Sequence, residues 1–252
     1  DISNYVYWKD QNNISGNMNF SINIKQDFTQ ILTDVNLSNG YLANNMFNQF
    51  NGIANFTINN GELTGHSHGS LNNWSYAHYE WQDIDYKIEF SDSATSTYSI
   101  SALGALGDSL QIKAEKLAND KINISKFEGI LKQSKIYLIP FYVNVSNKSL
   151  HLPELNLKIG DGNIILTGDF KDYDQYDLDG ELNNVTLDNI YSIIGKSFRL
   201  RGQIINCQFS IEKTNYRQIQ SPLVYININI NNGFWDDISF EKLSLSTTYR
   251  NR

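Results

Sequence analysis

Four histidines, one cysteine and 27 carboxylates are the side chains from which this 252-residue chain could build a reactive site. His66 and His68 stand two apart in Gly65-His-Ser-His-Gly69. On a strand that spacing puts both imidazoles on one side, where they could share a metal ion, and His78 could add a third ligand. No acid or cysteine stands at ligand spacing, and the flanking glycines suit an exposed turn equally well, so no metal centre is expected. Carboxylates cluster at 80–85 and 169–179. The alternating acids of Asp172-Tyr-Asp-Gln-Tyr-Asp177 could hold calcium weakly. They lack the glycine and the terminal glutamate of an EF-hand loop, and a solvated hairpin tip is the simpler reading. Nothing marks two acids as a glycosidase pair. There is no Gly-x-Ser-x-Gly elbow, phosphate loop or dinucleotide fingerprint, and Ser109, after Gly107-Asp108, reads as a turn residue. Cys207 is the single cysteine, so an intrachain disulfide is impossible. Its place among alternating residues suits a small buried hydrophobe better than a reactive thiol. No catalytic residue and no cofactor is expected.

The elements that would hold such residues are strands. Period two dominates the chain: Met18, Phe20, Ile22 and Ile24 alternate with polar residues, as do Ile84, Tyr86, Ile88 and Phe90. The same alternation runs through Tyr98, Ile100 and Ala102, through Leu155, Leu157 and Ile159, and through Val224, Ile226, Ile228 and Ile230. Successive side chains on a strand point to opposite faces, so each run has one apolar and one polar face. Asn59-Asn60-Gly61, Asp161-Gly162, Asp179-Gly180 and Asn231-Asn232-Gly233 read as hairpin turns. Pro140, Pro153 and Pro222 are expected near strand ends. Two segments break the pattern. The stretch 27–49 could hold one or two short helices, with Asn39-Gly40 as a stop. The stretch 188–195 reads as a two-turn helix with Thr186 or Asp188 at its start, Gly195 after its end, and Leu187, Ile190, Ile193 and Ile194 as its apolar side. The expected class is all-β and mainly antiparallel, as one region over 1–252, with the Ser/Thr-rich 91–99 as the best internal boundary.

Charge and hydropathy narrow the function. Hydrophobic residues make up 40% and charged residues 19%, and the formal net charge of -7 leaves no basic stripe for a phosphate backbone, so no nucleic acid is expected. No apolar stretch reaches the length of a membrane span. A start at Asp1 without a basic-then-apolar leader suggests a piece of a longer precursor, with any anchor outside it.

Two stretches resemble the AsmA-like superfamily, the AsmA/TamB-type envelope proteins of Gram-negative bacteria. One is Phe47-Asn-Gln-Phe-Asn-Gly-Ile-Ala-Asn-Phe-Thr-Ile-Asn-Asn-Gly-Glu-Leu-Thr-Gly65, preceded by a short helical segment. The other runs from Leu150 to Ile205 and includes Leu155-Asn-Leu-Lys-Ile-Gly-Asp-Gly-Asn-Ile-Ile-Leu-Thr-Gly168, Leu178-Asp-Gly-Glu-Leu182, Val185-Thr-Leu-Asp-Asn-Ile190 and Leu200-Arg-Gly-Gln-Ile204. Together they cover roughly a third of the chain. The family's N-terminal membrane helix is lacking. The resemblance implies an elongated, curved, taco-like sheet with an apolar concave face. It also implies a periplasmic place, inner-membrane anchoring through a segment absent here, and an inner- or outer-membrane protein partner. The implied function is non-catalytic: carrying phospholipid between the two membranes in support of outer-membrane biogenesis. The residues expected to line the groove are Leu155, Leu157, Ile159, Ile164, Leu166, Leu178, Leu182, Val185, Leu187, Phe209 and Ile211. The same apolar face could instead be the inside of a closed sandwich or barrel. Two rival functions remain. One is a surface or adhesive binding module using exposed Trp74, Tyr76, Tyr79 and Trp81. The other is a β-sandwich carbohydrate-active enzyme using the acids of 80–92 or 169–181.

Overall fold

A computed structural model describes residues 15–25, 28–42, 45–76, 78–92, 95–118, 120–146, 149–171, 175–196, 198–213 and 222–250. Its strands are β1 (Ser15–Lys25), β2 (Phe28–Leu42), β3 (Asn45–Asn59), β4 (Glu62–Tyr76), β5 (Tyr79–Phe90), β6 (Ser96–Gly104), β7 (Ser109–Leu117) and β8 (Lys121–Leu131). They continue as β9 (Ser134–Leu138), β10 (Phe141–Ser146), β11 (Ser149–Ile159), β12 (Gly162–Lys171), β13 (Gln175–Thr186), β14 (Leu200–Lys213), β15 (Leu223–Trp235) and β16 (Ile238–Arg250). One helix among the described residues, α1 (Leu187–Ile194), joins β13 to β14. All sixteen strands form one antiparallel sheet in chain order. β9 and β10 both lie between β8 and β11 and keep one register with each, so they act as a single strand broken at Ile139-Pro140. Every rung therefore pairs only with its neighbours in sequence.

The alternation read from the sequence is the register of this sheet. Ile84 pairs with Ala102, Ala102 with Leu110, Leu157 with Ile164, Ile164 with Leu182, and Phe209 with Ile226, so one face is apolar from strand to strand. Across β8, β9–β10 and β11 the inward positions change from odd to even or the reverse: Ile136 and Leu138 are buried on one side of the break, Val143 on the other. The shift coincides with an extra residue at Ser125 on β8 and with the register shift between Leu152 and Leu155 on β11. Bulges aligned on one line bend the sheet while keeping the apolar face inward.

Three expectations about local structure are corrected. The 27–49 stretch is not helical: its described residues are extended in β2 and β3, and Asn39 (φ 55°) is a left-handed residue within β2 across which the register with β3 is kept. Ile31, Val35 and Leu37 satisfy period two as well as a helical spacing, and cross-strand pairing with β1 and β3 decides between them. Asp179-Gly180 lies inside β13 and Asn231-Asn232-Gly233 inside β15, so neither is a hairpin turn. Gly180 and Gly233 instead leave room for the rings of Phe209 and Phe240 from the neighbouring strand. Pro153 sits inside β11 at the bulge, where its missing N–H leaves no ladder bond unmade. The Asn60-Gly61 turn, with φ of 49° and 82°, forms as the dipeptide predicts. The Gly160-Asp161 turn stands one residue before Asp161-Gly162.

The helix also forms as expected. Its last turn is closed by Gly195 (φ 67°), whose N–H donates to Tyr191 O, while Thr186 occupies the N-cap without a side-chain cap bond. Leu187 packs with Ile204, Cys207 and Ile230, and Ile190 and Tyr191 lie against the same cluster with Phe240 and Leu243. Ile193 reaches a second cluster: Trp81, Ala102, Leu131, Ile136 and Ile159, from β5, β6, β8, β9 and β11. A flat sheet could not bring β5 to a helix held by β13 and β14. The sheet is curved, and α1 fills the space where its ends at 78–79, 105–108, 132–133 and 160–161 come together.

Candidate functional site

The residues singled out for chemistry are scattered. His66 and His68 stack at 5.9 Å between ring centroids on β4, opposite Glu89 and Lys87. His78 does not join them: it lies against α1, its Nε2–H donating to Ser192 O at 3.2 Å. Among the described residues no three His, Cys, Asp or Glu side chains gather as a metal site. Asp83 accepts from Asn72 Nδ2 at 2.6 Å, Asp169 pairs with His151 at 2.8 Å, and residues 172–174 of the acidic tip lie outside the described residues. Cys207 is buried, and burial pushes its thiol pKa up. The aromatic run is packed inward: Trp81 is buried, Trp74 and Tyr79 lie against its cluster, and Tyr79 stacks on Trp81 at 5.7 Å. The side chain of Tyr76 lies outside the described residues.

What the fold assembles is the apolar face itself. Leu155 pairs with Leu166, Leu157 with Ile164, Ile164 with Leu182, and Leu178 with Ile211, and Leu166 and Phe209 both flank Gly180. These eight side chains share one face and are only half-buried. Ile159 shares the face but is buried at the helix end. Val185 (0% exposed) and Leu187 (7%) are enclosed beneath α1, so they form the floor and not the walls. The face is not closed on itself. Ile100, paired with Tyr86 and Ile112 in mid-sheet, is 40% exposed, a level that the inside of a sandwich or barrel does not allow. The opposite face is polar, with Asn206, Asn229 and Ser244 bonded side chain to side chain across β14, β15 and β16. The result is a trough with apolar walls and a mixed exterior, polar across β14–β16 and carrying the exposed Leu32, Ile53, Leu103 and Ile130 elsewhere.

One end of this trough is fastened by a contact that the alternation does not announce. The last carbonyls of α1 lack helical partners. Tyr79 Oη donates to Ile193 O at 2.8 Å beside the His78 bond to Ser192 O, joining β5 to α1 across 114 residues. Asp108, 5% exposed, accepts the Lys132 N–H at 2.6 Å and lies 3.6 Å from its ammonium, which sits 5.1 Å from the Tyr79 ring. Burial, with the Asp108 charge added, pushes the Tyr79 phenol up to about 12. The opposite end, with the Asn60-Gly61 turn and the Ser91 N–H bond to Thr95 O, carries no helix among the described residues.

No family model matches this chain, and neither a curated protein nor a solved structure matches it.

Proposed function

We propose that this chain is a non-catalytic, lipid-carrying segment of an AsmA/TamB-like periplasmic protein, holding phospholipid acyl chains in its trough on their way between inner and outer membranes. The observation that carries the reading is the open apolar face, continuous over the sheet yet half-exposed at Ile100, Leu166 and Phe209. Monomeric soluble proteins rarely leave so large an apolar surface to water, and when they do it marks a binding surface. Acyl chains gain about 0.8 kcal/mol per buried methylene without any directional chemistry, which suits a surface lacking polar anchors along its length. Such a face works alongside a membrane protein partner that delivers or receives the lipid. The packed positions of Trp74, Tyr79 and Trp81 remove the exposed aromatic stripe on which a surface-binding module would rely.

The test is native mass spectrometry with lipid extraction on the protein purified from a Gram-negative host. Leu157 belongs to the cluster around Trp81, so the variants are Leu166→Asp and Ile100→Asp, whose side chains keep contact with solvent. We expect phospholipid to co-purify with the parent protein and to fall roughly tenfold in each variant, because a carboxylate among acyl chains is left without solvation. A folded parent protein carrying no lipid, or variants carrying it undiminished, would sink the reading.

A further inference from the structure

His66 and His68 lie in the middle of β4, not in the exposed turn that their flanking glycines could also have made. Along this stretch β4 is bonded to β3 on one side and to β5 on the other, so the backbone beneath the two residues is fixed. Their neighbours Ser67 and Gly69 pair with Ile88 and Tyr86 on the trough side, which puts both imidazoles on the outer face. The rings stand 5.9 Å apart between centroids and 17° from parallel, and both side chains are exposed. Neither has a hydrogen bond or an ion pair with a described residue. On the β3 side they face Asn55 and Ile53. On the β5 side Glu89 faces His66 and Lys87 faces His68, and the lysine ammonium lies 2.8 Å from the Glu89 carboxylate. The hydrogen bond from Lys87 holds the Glu89 carboxyl below its ordinary range, so it stays ionised beside His66. The two charges offset each other, and a cation arriving at the histidines meets no net positive charge from this pair.

We infer that His66 and His68 together chelate a borderline divalent transition-metal ion on the outer face, Cu²⁺ most tightly, with water at its remaining positions. Residues two apart on a strand project from one side about 6.5 Å apart, a span that two imidazoles bridge around one ion by turning about their side-chain bonds. Both rings are free to turn, because they stand in solvent and hold no described partner. Imidazole suits copper, nickel and zinc, and of the three copper binds tightest. Two ligands do not make the closed four-ligand cage of a structural zinc site, so the ion is exchangeable and the fold does not depend on it. The site lies on the face away from the trough and stands or falls independently of the lipid reading.

The experiment titrates the whole protein, prepared without a histidine tag and stripped with a chelator, with Cu²⁺. Calorimetry gives the affinity, and electron paramagnetic resonance gives the nitrogen ligands. The tightest ion should show the hyperfine pattern of a pair of imidazole nitrogens. His66→Ala and His68→Ala should each weaken its binding roughly tenfold or more, because a second ligand on the same scaffold acts at high effective concentration. Ni²⁺ and Zn²⁺ should compete for the same site with lower affinity, and Mg²⁺ should not. His151→Ala, at a histidine that pairs with Asp169 on β12, should leave the affinity unchanged. Both substituted side chains on β4 are exposed, so neither variant takes packing from the sheet. A parent protein that binds Cu²⁺ no tighter than the single variants behaves as isolated surface histidines do, and that overturns the inference. A loss of affinity in His151→Ala in place of the β4 variants, or a spectrum with a single imidazole nitrogen, overturns it as well.

Discussion

Ile204 and Ile230, at 2% and 1% exposure, face each other across β14 and β15 under the helix and are the best-enclosed side chains of the described chain apart from Val185. Truncating either to alanine removes buried methylenes from packing that cannot collapse freely, at a cost of about 2–5 kcal/mol. Urea denaturation should therefore show a lower midpoint for Ile204→Ala and Ile230→Ala. Leu166→Ala, on the open wall, should move it much less. A comparable loss at Leu166 would mean that the wall is packed against something and is no open face. Cys207 belongs to the enclosed group, and its raised thiol pKa keeps it protonated at neutral pH. Thiol reagents should leave it unmodified until denaturant is added. The inward positions were legible in the sequence because alternation alone sets them. The glycines were not: Gly180 reads as a turn in one dimension and serves as a seat for Phe209 in three.

At the scale of elements, α1 is both the best-read feature and the least anticipated in its role. Its bounds follow from the apolar spacing of Leu187, Ile190, Ile193 and Ile194 and from Gly195. Its partner does not, because His78 and Tyr79 lie 114 residues away and carry no local signal of where they dock. Removing the Tyr79 hydroxyl by Tyr79→Phe leaves the Ile193 carbonyl short of a donor and should cost about 1 kcal/mol. The phenol titrates at about 12 in the fold and near 10 when unfolded. The folded state therefore holds its proton longer, so this contribution is complete below pH 10 and is lost as pH rises toward 12. Stability followed from pH 9 to 12 should decline more steeply in the parent protein than in Tyr79→Phe, and parallel curves would count against a phenol raised by burial beside the Asp108 charge. Gly195→Ala, which puts a Cβ at a left-handed position against the His78 ring, should cost roughly 1–2 kcal/mol. β2 and β3 show the opposite failure: a stretch with helical spacing becomes extended because strands on both sides complete its hydrogen bonds.

For the molecule as a whole, an all-β chain with one apolar face was legible, and so was the helix that caps it. Whether that face closes on itself was not, because alternation is identical in a sandwich and in a trough. Exposure of Ile100 settles that point, and it goes with curvature at the bulge at Ser125, the strand break at Ile139-Pro140 and the bulge at Pro153, of which only the two prolines leave a mark in the sequence. The chain order of the rungs has a consequence for how this protein is made. A ribosome releases strands one after another, and here each new strand finds its only earlier partner already in place. The growing sheet never waits for a distant segment and presents, besides the outer side of β1, only the edge of its newest strand. The fastening of His78 and Tyr79 to α1 is the exception. It must wait until 114 further residues have been synthesised, so the trough is open at both ends through much of its own birth and gains its floor late.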